Sequence, residues 1–140
     1  MQLKMGIKEL LAAAMPRIET LTIEQALPLL GDPDVQFVDI RDPRELERDG
    51  VIPGAFHAPR GMLEFWVDPE SPYHKPIFTN GKRFVLYCGG GWRSALATDI
   101  LQRMGLPRVC HIEGGYGAWK KAGYPTEAKA SKPPKTEGAA

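Results

Sequence analysis

The sequence predicts an α/β fold in which a central, mostly parallel five-stranded sheet carries helices on both faces. Two observations predict this fold. Strand-like and helix-like segments alternate along the chain, and the strand-like residues 35–40 and 84–87 are almost continuously apolar. Alternation favours parallel strands joined by helical crossovers, and continuously apolar strands are typical of a sheet that is covered on both faces. The 140 residues are enough for one such domain.

The strands are predicted from short runs of β-branched, aromatic and aliphatic side chains. Residues 35–40 and 83–87 are the clearest of these runs, and they are expected to be parallel and buried. The five predicted strands are residues 18–20, 35–40, 55–58, 83–87 and 108–112.

The helices are predicted from capping residues and from apolar spacing. The N-terminal extension, residues 1–17, reads as an amphipathic helix with Met5, Leu10, Leu11 and Ala14 on one face and Pro16 at its end. Thr22 begins a capping box for a helix that must end before Gly31. The remaining predicted helices are residues 43–48, 94–104 and 117–122.

Two segments fall outside this alternation. Residues 59–82 hold only a brief helical stretch at 62–66, and a connection of this length is often functional. Residues 126–140 lack apolar periodicity and are expected to form a disordered tail. The predicted domain therefore covers residues 18–125.

Composition excludes several classes of function. Apolar residues make up 43% of the chain and charged residues 25%, and the formal net charge is +1. This balance argues against nucleic acid or an anionic membrane surface as a partner selected by bulk charge. No apolar run reaches the length of a membrane span, and the run at 10–15 is too short for a signal peptide. We therefore expect a cytoplasmic protein whose two cysteines are free thiols.

The strongest candidate site follows the fourth predicted strand. Between that strand and the helix that begins at Ser94 lie, in order, Cys88, Gly89, Gly90, Gly91, Trp92 and Arg93. Glycines allow successive backbone N–H groups to converge on an anion, and a helix N-terminus adds partial positive charge. The Arg93 guanidinium could hold an oxyanion. These features predict that Cys88 is a nucleophile favoured as thiolate.

The pattern resembles the rhodanese, or sulfurtransferase, domain. In that family a cysteine, four intervening residues and an arginine form a cradle loop before a helix, and residues 88–94 fit its Cys-x-x-Gly-x-Arg-Ser form. Three further segments match family landmarks in order, namely residues 38–41, 52–55 and 113–125. The resemblance covers about residues 18–125 and implies a three-layer rhodanese-like domain.

The resemblance also implies a reaction. Cys88 would take a sulfane sulfur from thiosulfate, 3-mercaptopyruvate or a persulfide and pass it, as a Cys88 persulfide, to cyanide, a thiol or a protein acceptor. Arg93 would be catalytic, and Gly89, Gly90, Gly91, Trp92 and Ser94 would bind substrate. No cofactor or metal is required. Gly89 and Gly90 supply no second cation, which weakens thiosulfate as the physiological donor.

Weaker candidates surround this loop. Asp39 and Arg41 end a buried strand and are expected to brace nearby loops, while Arg60 and Trp66 lie in the long excursion and could form a pocket rim. Cys110 is expected to be a buried core thiol. The three histidines show no ligand spacing with each other or with Cys88, so a zinc site is not expected.

Two other functions stay open at this stage. Phosphatases and arsenate reductases use a similar cradle, but their loops place five residues between cysteine and arginine, whereas this chain has four. A rhodanese-like binding module without turnover is the second alternative, although such modules typically lack the nucleophile that Cys88 supplies. The oligomeric state is not indicated by the sequence.

Overall fold

The structure, a computed structural model, describes residues 1–130. Six α-helices and five strands are found among these residues. In chain order they are α1 (Ile7–Ala14), β1 (Glu19–Leu21), α2 (Ile23–Ala26), β2 (Val35–Asp39), α3 (Pro43–Asp49), β3 (Phe56–His57), α4 (Leu63–Val67), β4 (Arg83–Tyr87), α5 (Trp92–Arg103), β5 (Val109–Ile112) and α6 (Gly115–Lys121).

The strands form one sheet in the order β1-β5-β4-β2-β3, and all neighbours in it pair in parallel. The predicted fold class is therefore confirmed. Strand β2 pairs with β4 along its whole length, from Val35 opposite Arg83 to Asp39 opposite Tyr87. Parallel neighbours place their carboxyl ends along one edge of the sheet, and that edge carries the loops that follow β2, β4 and β5.

Two apolar cores lie on opposite faces of the sheet. Successive residues of one strand point to opposite faces, so Phe37 and Val38 belong to different cores. One core includes Leu101 of α5. The other includes Trp119 of α6. Helices therefore cover both faces, which explains why β2 and β4 are apolar without regular alternation.

The N-terminal helix is shorter than predicted, and part of its predicted apolar face is exposed. Helix α1 covers Ile7–Ala14, and a 3₁₀ turn follows at Met15–Arg17. Ala14 is buried, but Met5 and Leu10 are 52% and 43% exposed, so the predicted apolar face is wrong for these two residues. The segment docks on α5 through an ion pair of 2.9 Å between Arg17 and Asp99.

Several other sequence-based expectations need correction. Strand β1 lies one residue later than predicted, and β3 is only two residues long. The segment 59–82 contains α4 and two 3₁₀ turns and buries Leu63 and Phe78, so it is packed into the core. The predicted tail starts too early, because Glu127 forms an antiparallel bridge with Val51. The rest of that tail, residues 131–140, lies outside the described residues.

Within residues 1–130, no helix is long and apolar enough to cross a membrane.

Candidate active site

The predicted cradle loop lies at the carboxyl edge of the sheet. Strand β4 ends at Tyr87, Cys88 follows directly, and α5 begins at Trp92, two residues earlier than predicted. The loop therefore occupies the position where parallel sheets bind ligands, at a strand end that faces a helix N-terminus.

The sulfur of Cys88 is surrounded by hydrogen-bond donors. Cys88 is 1% exposed. Its Sγ accepts hydrogen bonds from the backbone N–H of Gly91 at 3.1 Å and of Ser94 at 3.4 Å, and it lies 3.5 Å from the Ser94 hydroxyl oxygen. Donors converging on one atom stabilise negative charge there, because they are already oriented before the charge appears. The loop thus contacts the sulfur as a cradle.

The three glycines of the loop have different roles. Gly91 adopts φ +107°, and a Cβ there would lie 3.2 Å from the backbone nitrogen of Gly114. Both facts favour glycine at this position. A Cβ on Gly89 would lie 3.1 Å from the Arg93 guanidinium, whereas a Cβ on Gly90 would meet no atom within 4 Å.

The first turn of helix α6 is hydrogen-bonded to the cradle loop. The Cys88 carbonyl accepts a hydrogen bond from the N–H of Tyr116 at 2.8 Å, and the Gly89 carbonyl accepts one from Gly117 at 3.0 Å. Gly115 lies so close that any side chain on it would collide with the Cys88 carbonyl. The carbonyls of the loop thus point to the first turn of α6, which leaves the N–H groups of Gly91 and Ser94 facing the sulfur.

The mouth of the cradle is an open cleft of about 320 Å³ lined by Cys88, Gly90, Trp92 and Arg93. Trp92 lines this cleft and is 56% exposed. A larger cleft of about 590 Å³ opens near Gly81 and Leu106, by the amino ends of β4 and β5. That cleft does not include Cys88, so we assign the candidate site to the smaller one.

Arg93 does not point freely into the cradle. Its guanidinium forms two hydrogen bonds with the Glu45 carboxylate of α3, at 2.7 and 3.0 Å. These hydrogen bonds lower the pKa of the Glu45 carboxyl, which is therefore ionised at neutral pH. The sequence suggests that Arg93 supplies a guanidinium fork for an oxyanion, and in the structure this arginine lines the mouth as half of an ion pair with Glu45.

Further cations lie on the Gly89 side of the loop. A cleft of about 460 Å³ contains Gly89 together with Arg48, Lys120 and Lys121. Arg48 pairs with Asp49 at 2.9 Å, and Lys120 Nζ donates to the Asp49 carbonyl at 3.0 Å.

Asp39 and Arg41 form a buried ion pair, each 1% exposed. The Arg41 guanidinium also donates to the Gly50 carbonyl at 2.8 Å and lies 4.1 Å from the centre of the Tyr116 ring. The pair thus joins β2, the turn after α3 and α6. These contacts agree with the bracing role that the sequence suggests.

The other two candidates lie outside the mouth. Arg60 pairs with Glu64 at 2.6 Å on α4. Trp66 packs against Phe56 and beneath the Lys75 ammonium. Neither residue is among the four that line the mouth, and these contacts give the predicted rim role no support. Among residues 1–130, no group of three or more His, Cys, Asp or Glu residues is placed to hold a metal ion.

Sequence reasoning missed Glu45 and the polar side chains behind Ser94. The Ser94 hydroxyl oxygen is 2.9 Å from His111 Nδ1, and His111 Nε2 is 3.0 Å from the Thr20 hydroxyl oxygen. The sequence does mark His111, because it is a polar residue within the otherwise apolar strand β5, which lies beside β4. Glu45 had a weaker signal, as an acidic residue in the first turn of a helix that follows a parallel strand.

The comparisons with known proteins agree with this geometry. Residues 22–122 match the rhodanese-like domain. A sulfurtransferase from Allochromatium vinosum is 35% identical over 95 residues, which are 68% of this chain and 80% of that protein. The chain belongs to the rhodanese-like domain family.

Solved structures show the same fold. A Rhodopseudomonas palustris protein of unknown function, described as a possible tyrosine phosphatase, is 59% identical with a TM-score of 0.88, and the match covers 91% of this chain and 98% of that one. The polysulfide-sulfur transferase homodimer of Wolinella succinogenes is 29% identical with a TM-score of 0.65, over 86% of this chain and 85% of that one.

Proposed function

We propose that this protein is a sulfurtransferase that moves a sulfane sulfur from a donor to a thiophilic acceptor through a persulfide on Cys88. Membership of the rhodanese-like family and the likeness to a sulfurtransferase support this class of reaction. The observation that carries the proposal is the position of Cys88 Sγ, which accepts two backbone N–H groups at the bottom of an open mouth.

In the first step the Cys88 thiolate attacks the outer sulfur of the donor. With thiosulfate, a sulfur–sulfur bond forms to Cys88, the bond to the sulfonate sulfur breaks, and sulfite leaves with the electron pair. With 3-mercaptopyruvate, the carbon–sulfur bond breaks instead, and the pyruvate carbanion takes a proton. The N–H groups of Gly91 and Ser94 stabilise the negative charge on Sγ of the attacking thiolate.

In the second step an acceptor attacks the outer sulfur of the persulfide. Cyanide yields thiocyanate, whereas a small thiol or a cysteine of a partner protein becomes a persulfide. In each case the sulfur–sulfur bond to Cys88 breaks and the thiolate is regenerated. Because the donor product leaves before the acceptor binds, the steady-state kinetics are ping-pong.

An anionic donor fits the charges around the loop. The cleft beside Gly89 is lined by more cations than anions, and Arg93 lines the mouth. The cations of that cleft are Arg41, Arg48, Lys120 and Lys121, and its anions are Glu45 and Asp49. Positive charge on both sides of the loop raises the local concentration of anions such as thiosulfate or 3-mercaptopyruvate. The Arg93–Glu45 and Arg48–Asp49 ion pairs reduce this attraction.

Intact-mass spectrometry tests the persulfide directly. After incubation with thiosulfate, 3-mercaptopyruvate or polysulfide, the wild type is expected to gain about 32 Da, the mass of one sulfur atom. Cys88→Ser is expected to gain nothing. Cys110→Ser is the matched control and is expected to gain the same mass as the wild type, since Cys110 is a fully buried core thiol.

The same proteins separate the alternatives. The absence of an adduct with every donor would contradict the proposal. Hydrolysis of p-nitrophenyl phosphate that depends on Cys88 would then support a phosphatase, the description carried by the Rhodopseudomonas palustris relative. The loop argues against that function, because it has only four residues between Cys88 and Arg93 in which to hold a tetrahedral phosphate. Inactivity in both assays would support a binding module.

A further inference from the structure

A buried histidine that the proposed reaction does not use lies behind the cradle. His111 is 2% exposed, and each of its ring nitrogens lies within hydrogen-bond distance of a hydroxyl group. One of these hydroxyls, on Ser94, is 3.5 Å from Cys88 Sγ. The side chains of Cys88, Ser94, His111 and Thr20 therefore form one continuous chain, with consecutive heteroatoms 3.5, 2.9 and 3.0 Å apart.

The direction of the hydrogen bonds in this chain depends on the histidine. Burial lowers the pKa of His111 to about 4, so the ring is neutral near pH 7 and carries one N–H. A neutral imidazole donates from one nitrogen and accepts at the other. If Nε2 carries the proton, His111 donates to Thr20 and Nδ1 accepts from Ser94. If Nδ1 carries it, His111 donates to Ser94 and Nε2 accepts from Thr20.

The two tautomers suit the two states of Cys88. The single hydroxyl proton of Ser94 can point to His111 Nδ1, to Cys88 Sγ or to the Gly91 carbonyl 3.2 Å away. When Nδ1 carries a proton it cannot accept, and the charged thiolate is the stronger of the two acceptors left. When Cys88 is a thiol, its S–H can donate to Ser94 and Ser94 to Nδ1.

We propose that His111 is a positioning residue for Cys88, whose tautomer sets the direction of the Ser94 hydroxyl, and that Cys88, Ser94, His111 and Thr20 conduct the thiol proton out of the cradle. The inference rests on the proposed function, since the thiolate is the attacking group there.

The proton transfer balances along the chain. The S–H bond of Cys88 breaks and Ser94 Oγ takes that proton while passing its own to His111 Nδ1. His111 Nε2 releases its proton to Thr20 Oγ1, whose own proton passes to water. The imidazole ends neutral in the other tautomer, and Cys88 ends as the thiolate.

The proton leaves on a different side from the donor. Thr20 and His111 line a cleft of about 270 Å³ next to α1. Cys88 and Arg93 do not line this cleft, although Gly90 and Trp92 line both it and the mouth. A donor that fills the mouth therefore does not block the exit of the proton. This gives the buried histidine a use that a wholly apolar residue could not supply.

The charged groups near the chain are few among the described residues. The Arg93–Glu45 pair faces Cys88 from α5 and α3. Glu113 lines the same cleft as His111, and the Arg17–Asp99 pair joins the N-terminal segment to α5. Strand β4 places Leu86 opposite His111.

Nitrogen-15 NMR of the His111 ring tests the proposal without any sulfur donor. As the pH rises, the ring is expected to change from the Nε2–H to the Nδ1–H tautomer, with the same midpoint as alkylation of Cys88 by iodoacetamide. In Cys88→Ala the tautomer is expected to stay constant through that range. A wild-type tautomer that does not change while Cys88 ionises would overturn the proposal.

Alkylation of His111 variants gives the second measurement, in a Cys110→Ala background. His111→Leu removes both ring nitrogens. In this variant the midpoint of the pH dependence of Cys88 alkylation is expected to rise by about one unit, so that alkylation below that midpoint is about tenfold slower. An unchanged midpoint in folded His111→Leu contradicts the proposal. If that variant does not fold, the NMR titration of the wild type decides alone.

These measurements separate the inference from the proposed function. If the His111 tautomer changes with the ionisation of Cys88 but the protein takes up no sulfur, the proposed function is refuted and the proton path is supported. If Cys88 takes up sulfur while the His111 tautomer stays constant with pH, the proposed function is supported and the proton path is refuted.

Discussion

The charge balance at the mouth of the cradle is decided by two side chains. Arg93 would by itself attract anions, but Glu45 holds its guanidinium through two hydrogen bonds. At 44% exposure of the arginine side chain, solvent screens the pair, so its contribution to folding is small. We infer that Glu45 matters more for the electrostatic potential at Cys88 than for stability.

Neutralising Glu45 tests this. In Glu45→Gln, the ratio of the alkylation rates of Cys88 by anionic iodoacetate and neutral iodoacetamide is expected to rise several-fold, because a negative charge near the mouth is lost. Glu47→Gln, on the exposed side of the same helix, is the matched control and is expected to leave the ratio unchanged. An equal ratio in the two variants would show that the pair does not set the potential at the sulfur.

In contrast to the Arg93–Glu45 pair, the buried pair of Asp39 and Arg41 is expected to contribute strongly to stability. Arg41→Met leaves the Asp39 carboxylate buried without its partner, and such losses cost about 3 to 5 kcal/mol. Urea denaturation measures this cost. Arg44→Met is the control, because the Arg44 side chain is 87% exposed and its removal is expected to change the free energy of unfolding by less than about 0.5 kcal/mol. Similar losses in both variants would contradict the bracing role.

At the scale of elements, the junction between the cradle loop and α6 fixes the shape of the site. Tyr116 and Gly117 donate to the Cys88 and Gly89 carbonyls, and Gly91 contacts Gly114 from the other side. A small set of glycines therefore lets two segments approach within backbone distance. The shape of the cradle depends on this packing as well as on the loop sequence.

A pair of alanine substitutions tests the packing. Gly91→Ala must adopt a positive φ and move against Gly114, so we expect it to lose about 1 to 3 kcal/mol of stability and most of its sulfur uptake. Gly61→Ala, at a position outside the mouth, meets open space and is expected to fold normally and to take up sulfur at close to the wild-type rate. Thermal unfolding and intact mass measure both effects. Equal behaviour of the two variants would contradict this account.

Much of the fold could be predicted at this scale, because local signals decide it. Strand β4 matches its predicted bounds, and the capping box at Thr22 begins α2 as expected. The exposed face of α1 could not be predicted, because it depends on how the helix docks on α5 through Arg17 and Asp99. Similarly, the pairing of Glu127 with Val51 needs a long-range partner that periodicity does not reveal.

At the scale of the whole molecule, sheet order assembles the site from distant parts of the sequence. Strand β5 lies between β1 and β4. His111 of β5 therefore lies opposite Thr20 of β1 on one side and opposite Leu86 of β4 on the other. Cys88 follows β4 by one residue, so residues 20, 88 and 111 meet at one edge. The cradle was predictable, since residues 88–94 are contiguous. The series of hydrogen-bonded side chains behind Ser94 was not predictable, because the sequence does not give the order of the strands.

The burial of His111 has a consequence for the stability of the whole protein. In the unfolded chain the histidine titrates near pH 6.5, whereas burial lowers its pKa to about 4 in the folded state. The unfolded state therefore binds more protons between these two values, and the free energy of unfolding falls as the pH falls through that window. Above about pH 7 both states are neutral at this position, and the cost disappears.

Urea denaturation at pH 7.5 and pH 5 measures this effect. We expect the free energy of unfolding of the wild type to fall by about 2 kcal/mol from His111 alone, since one pKa unit corresponds to about 1.4 kcal/mol. Glu45 and Asp49, whose pKa values are lowered by their arginine partners, add losses of the same sign at lower pH. The comparison with His111→Asn isolates the histidine, because the amide can still bond to Ser94 but does not take up a proton. The variant is expected to lose less stability than the wild type between the two pH values, and an equal loss in both proteins would show that His111 is not held neutral by burial.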